Sequence, residues 1–116
     1  MTIDIKHISS GFSSCPQLTV EQVPEAIQAG FRTIINCRPD GEGGAEQPLS
    51  EDIRQAVEAQ GGSYVHIPIV PGQLTQAQVD ELAGLLPELP LPILGFCKGG
   101  VRATNLYQHA LARLEQ

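Results

Sequence analysis

The apolar positions along this chain change their period several times, and the changes mark out its elements. "TIDIKHI" (residues 2–8) alternates apolar and polar side chains as a half-buried strand does, and "GF" (11–12) opens a second short strand. "TVEQVPEAIQAG" moves to helical spacing, with Val23, Ala26 and Ile27 on one face. Thr19 and Gln22 are spaced for a capping box, and Gly30 closes the helix. Pro24 suits a first turn, which moves the expected helix start two or three residues on. "RTIINC" is a buried strand, followed by the loop "RPDGEGGAEQP". Ser50 is the expected cap of the next helix, "EDIRQAVEAQGG", whose first turn carries the acids that the helix dipole prefers.

"SYVHIPI" is the next strand and "VPGQ" a turn. "TQAQVDELAGLL" is a helix capped by Thr75, with Val79, Leu82 and Leu86 on one side. "PILGF" is the last strand. The final helix is expected from about Ala103, turning Leu106, Tyr107, Ala110, Leu111 and Leu114 inward. Strands that alternate with helices imply an α/β fold, a three-layer sandwich whose mostly parallel central sheet is flanked by helices. Ligands of such sheets bind at the carboxyl ends of the strands. Here that edge receives "CRPDGE", "VPGQ" and "CKGGVR".

At 116 residues the chain has the size of one domain, 1–116, and its 41% apolar content supports an aliphatic core. The formal net charge of −6 disfavours nucleic acid or an anionic membrane as a partner. It leaves room for a small anionic substrate held in a local positive pocket. No apolar run approaches the roughly 20 residues of a membrane span, and the amino terminus does not read as a signal peptide. Three cysteines at irregular spacing do not form a disulfide framework, so the expected setting is reducing and cytoplasmic. Oligomeric state is left open.

The chemistry gathers in "CKGGVR". Backbone N–H groups of a glycine turn that runs into a helix N-terminus bind anions, and the same field stabilises a thiolate. Cys97 is therefore a candidate nucleophile. Lys98, Gly99, Gly100 and Val101 form a candidate anion cradle, and Arg102 can grip an oxyanion with two N–H groups. A buried cysteine beside an ordinary glycine turn is the plain alternative, and an anion-binding loop without chemistry is another.

At these residues the chain resembles the phosphatase-like domain family of beta-lactamase-hydrolase-like proteins, formerly a domain of unknown function. The stretches that carry the resemblance are "GFRTIINCRPDGE", "YVHIPI" and "PILGFCKGGVRAT", in that order and spanning most of the chain. The resemblance implies a fold similar to dual-specificity protein-tyrosine phosphatases. It implies that Cys97 is the nucleophile of a hydrolase acting on a phosphate ester, with Arg102 stabilising the transition state. Three features depart from that pattern. Four residues, not five, separate Cys97 from Arg102, and Phe96 stands where a histidine is usual. Such a six-residue loop is similar to those of rhodanese-type sulfurtransferases, which carry a persulfide. The general-acid aspartate expected after "YVHIPI" is also absent, since Val70, Pro71 and Gly72 stand there.

Asp40 is the leading substitute acid, with Glu42 and Glu46 beside it on the same loop; a solvated turn is the plain reading of "PDGEGG". Arg38 either adds positive potential to the substrate site or pairs with a nearby acid. Thr104 either donates to the Cys97 thiolate or caps the final helix. Cys37 is a possible resolving thiol or a core-edge residue, and Cys15 is read as structural or exposed. His7, His66 and His109 share no ligand spacing, so neither a metal nor a cofactor is expected. His66 is expected to be a hydrogen-bonded sheet histidine.

Overall fold

The computed structural model describes residues 2–116. Its strands are β1 (Lys6–Ser9), β2 (Phe12–Cys15), β3 (Thr33–Asn36), β4 (Ser63–His66) and β5 (Ile93–Phe96). Every residue of β2, β3 and β5 is buried. The sheet order is β1-β2-β5-β3-β4. β5 runs parallel to β2 and β3, β4 runs parallel to β3, and only the edge pair β1–β2 is antiparallel. Strands buried on both faces read as continuous aliphatic runs, which is why "RTIINC" and "PILGF" lack alternation.

Alternate residues feed two cores. Ile34, Leu94 and Phe96 pack with α1 (Val23–Gln28) and α2 (Ser50–Ala59) through Val23, Ala26, Ile53 and Val57. Ile35, Ile93 and Cys97 face the opposite layer, α3 (Gln76–Leu85) and α4 (Val101–Leu114), through Val79, Leu82, Leu106 and Ala110. The expected three-layer architecture is what the chain adopts. Gly95 leaves no room for a side chain between the sheet and α4: a Cβ there would lie 2.7 Å from the Phe12 ring and 3.2 Å from the Ala103 methyl.

Several boundaries differ from expectation. The Thr19/Gln22 capping box is present, but it opens a 3₁₀ turn, Val20–Gln22, and α1 follows at Val23. Thr75 caps α3 as expected, and Gln78 completes a capping box there. Ser50 does not cap α2. The helix starts at Ser50 itself, whose N–H donates to Asp40 Oδ1 at 2.8 Å while its hydroxyl meets the Tyr64 hydroxyl at 2.7 Å. α4 begins two residues earlier than expected, because Gly100 takes φ +97° and turns the chain straight into the helix. Leu106, Tyr107 and Ala110 are inward as read, but Leu111 and Leu114 are 39% and 44% exposed. They line an open apolar groove beside Leu91 instead of the core.

Candidate active site

β2, β5 and β3 end level, with Cys15 opposite Phe96 and Phe96 opposite Asn36. The segments that follow all three strands therefore meet at one edge. The loop after β5 starts with Cys97, which is 1% exposed. Its sulfur accepts the Gly100 N–H at 3.0 Å. Gly100 has two reasons to lack a side chain: its φ is in the left-handed region, and a Cβ would lie 3.2 Å from the Cys15 carbonyl oxygen. The Lys98 carbonyl accepts the Gln17 N–H at 3.2 Å, which ties this loop to the segment after β2. Among the described residues, the N–H groups of Lys98, Gly99, Val101 and Arg102 have no acceptor in the protein. They are the orphan donors of a helix start and the turn before it.

Arg102 is held from two sides. Its Nη1 donates to Glu42 Oε2 and to the Ile69 carbonyl, each at 2.8 Å, and its Nη2 donates to Glu42 Oε1 at 2.8 Å. A guanidinium has five N–H groups, so Nε–H and one N–H of Nη2 remain along a single edge. The Cys97 sulfur is near enough to interact with this guanidinium. Glu42 also accepts Arg38 Nε at 2.8 Å, through the oxygen that already receives Arg102 Nη2. The two arginines therefore bring their nitrogens within twice that distance of one another. Two guanidiniums against one carboxylate leave a local positive balance in an acidic protein. The Arg102 and Arg38 hydrogen bonds hold the Glu42 carboxyl down at about 2, so it is ionised.

Arg38, expected either to lend potential or to pair with an acid, pairs with Glu42. It is 8% exposed, its Nη1 donates to Gln17 Oε1 at 3.2 Å, and Gly43 leaves room for its Nη2. Its backbone is fixed as well. The Arg38 N–H donates to Asn36 Oδ1 at 2.8 Å, and the Arg38 carbonyl accepts from His66 Nε2 at 3.0 Å. Asn36 Nδ2 in turn donates to the Tyr64 hydroxyl at 3.0 Å. Gln47 closes the loop by accepting the Gly43 N–H and donating to the Pro39 carbonyl. His66 is the hydrogen-bonded sheet histidine that was expected.

Other candidates move away from the loop. Asp40, the leading acid on sequence grounds, spends an oxygen on the Ser50 N–H and caps α2, so its geometry is that of a helix cap. Glu46 lies exposed in the 3₁₀ turn Gly44–Glu46. Thr104 donates to the Gly100 carbonyl at 3.0 Å, neither to the Cys97 sulfur nor to a cap, because its hydroxyl can reach back one helical turn. Cys37 neighbours Cys97 across β3–β5 and is fully buried; burial first, and the adjacent Cys97 second, push its thiol up to about 12. Cys15 is likewise buried, with its thiol also raised to about 12 by burial. The segment after β4 brings no acid: Val70 is half exposed, and the loop's contribution is the Ile69 carbonyl that anchors Arg102. Gln17, Asn36 and Gln47 were not singled out from sequence, since nothing local distinguishes them from other polar loop residues. Glu42 had one usable signal, its place four residues after Arg38.

Residues 4–113 match the family described as beta-lactamase hydrolase-like protein, phosphatase-like domain. A beta-lactamase hydrolase-like protein of Agrobacterium fabrum is 35% identical over 91 residues, which are 78% of this chain and 21% of that protein. One from Xylella fastidiosa is 33% identical over 78 residues, 67% of this chain and 18% of that protein. The chain thus spans about a fifth of the length of these relatives. Among solved structures, a putative phosphatase from Neisseria meningitidis superposes with TM-score 0.79 at 29% identity, covering 89% of this chain and 72% of that one. Tk-PTP in its active form superposes with TM-score 0.63 at 17% identity, covering 96% and 82%, a likeness of fold.

Proposed function

The chain belongs to the phosphatase-like domain family of beta-lactamase hydrolase-like proteins, and from that premise we propose that it is a cysteine-dependent phosphatase. The observation that carries the reading is that Cys97 shares one short loop with the open edge of Arg102 and with the unpartnered N–H groups of Lys98, Gly99, Val101 and Arg102. A phosphate monoester in this loop places its non-bridging oxygens on those N–H groups and on Nε and Nη2 of Arg102. Cys97, its thiolate supported by Gly100, then attacks phosphorus to give a cysteinyl phosphate. Water hydrolyses that intermediate and returns the thiolate. Arg102 and the loop amides stabilise the charge that builds on the equatorial oxygens.

Glu42 acts here as a positioning residue. It occupies one edge of Arg102 and leaves the adjacent edge for substrate. Arg38 and Lys98 supply positive potential that draws an anion to an otherwise acidic surface. Hydrolysis of an aryl phosphate tests the reading. Activity is expected in the native protein, is lost in Cys97→Ser, and falls about 10²–10³-fold in Arg102→Ala, the scale of a lost oxyanion donor. Full activity in either variant refutes the assignment. The six-residue loop favours one other reading, sulfur transfer through a Cys97 persulfide. Consumption of thiosulfate in the presence of cyanide, dependent on Cys97 and without phosphate release from aryl phosphates, would establish that reading instead.

A further inference from the structure

An oxygen that leaves phosphorus departs either with a proton from an acid or with its negative charge. The surroundings of the loop decide between these. Among the described residues Glu42 is the one carboxylate hydrogen-bonded to Arg102, and three N–H donors from two guanidiniums hold it as an anion. Asp40 is bonded to the α2 N-terminus. Between Glu58 and Asp80 the chain has no acid at all, so the segment after β4 offers none. The cavity of about 270 Å³ beside Arg102 is lined by Ile69, Gly72, Leu74, Arg102, Asn105 and His109, without a carboxylate. His109 lines that cavity too, seven residues beyond Arg102 on α4 and about 10 Å further along the helix axis. His66 already gives its Nε2 hydrogen bond to the Arg38 carbonyl.

We infer that this site acts on phosphates whose leaving group is a weak base, such as anhydrides of carboxylic or phosphoric acids and esters of acidic enols or phenols, and discriminates against esters of alcohols and of tyrosine. The inference rests on the phosphatase reading above and deepens it. In the first step the Cys97 sulfur forms the S–P bond as the P–O bond breaks, and the electron pair leaves with the oxygen as a free anion. In the second, water adds hydroxide to phosphorus and its proton stays on the released phosphate, while the S–P electron pair returns to the Cys97 thiolate. No general acid takes part in either step. Leaving-group protonation is commonly worth about 10²–10⁴ in rate, so its absence falls hardest on basic leaving groups.

The test is kcat/KM of the native protein on a series of substituted phenyl phosphates from dinitrophenyl to unsubstituted phenyl, with acetyl phosphate, phosphotyrosine and phosphoserine alongside. The expected result is a steep, continuous fall as leaving-group basicity rises. Acetyl phosphate should group with the most activated esters, and phosphotyrosine and phosphoserine should lie at least about 10²-fold lower. Asp40→Asn, His109→Gln and Asp4→Asn, the last beside Gly99 on the β1 side of the loop, are expected to leave the slope unchanged. A flat series, or phosphotyrosine turned over as well as dinitrophenyl phosphate, overturns the inference while leaving the phosphatase reading intact. A slope that steepens in Asp40→Asn, Asp4→Asn or His109→Gln overturns it too and names the acid. No turnover of any member, in a protein whose Cys97 still alkylates, refutes the phosphatase reading and takes this inference with it.

Discussion

Glu42 holds two arginines in place and is itself held as an anion, so its contribution depends on pH in a definite direction. Its carboxyl lies at about 2 in the folded protein against an ordinary value of 4.5. A group depressed in this way adds stability above its unfolded value, and that stability is lost as pH falls through its folded value. The Glu42→Gln variant is therefore expected to melt lower than the parent at pH 7, with the gap closing between pH 4.5 and 2. The side chain is 21% exposed, so the gap is modest and shrinks in high salt. A gap independent of pH would show that the carboxylate charge is irrelevant. Cys97 and Arg102 were legible in sequence because six consecutive residues carry both. The grip of Glu42 on Arg102 was not, since the partners lie 60 residues apart and meet only when two loops converge.

Local chemistry located most elements and mislaid some of their ends. Thr75 caps α3 with both halves of its box in place, and Thr75→Ala is expected to cost about 1 kcal/mol in denaturant unfolding; no loss would mean that the cap is redundant. α2 follows a different rule. Ser50 resembles a cap, but the acceptor comes from Asp40, ten residues back, and the Ser50 hydroxyl is drawn to Tyr64 instead. No local pattern announces a cap delivered from another segment. The same limit applies to α4, where helical spacing placed Leu111 and Leu114 inward although the sheet no longer covers that end of the helix. Gly95 is the opposite case, a strand glycine demanded by close packing. Gly95→Ala is expected to destabilise by about 1–3 kcal/mol through contact with Phe12 and Ala103, and an unchanged melting temperature would contradict that packing.

For the molecule as a whole, alternation of strands and helices implied the layered architecture, yet not the order β1-β2-β5-β3-β4. Strand order is a matter of non-local pairing, and it is this order that puts β5 in the middle with Cys97 at its end. Among the described residues no helix is long and apolar enough to cross a membrane. The fold keeps Cys15 and Cys37 as buried thiols raised from 9.0 to about 12. Groups raised in this way favour folding below their unfolded value, and that advantage drains away as pH climbs toward the folded one. Stability should therefore decline between pH 9 and 12, and less so in Cys37→Ala when each variant is compared with its own value at pH 8. Anion binding also belongs to this scale. Phosphate or vanadate should raise the melting temperature with the logarithm of its concentration once that exceeds the dissociation constant, and Arg102→Ala should abolish the rise. A rise that survives in that variant would put the anion elsewhere.

The central claim is that Cys97 becomes covalently bonded to phosphorus during turnover. Rapid acid quenching of the protein with an activated aryl phosphate, followed by peptide mass spectrometry, reads that bond directly. The account predicts one added phosphoryl group on the peptide containing Cys97, formed within a single turnover and absent in Cys97→Ser. Phosphate release at full rate with Cys97 never modified would contradict it.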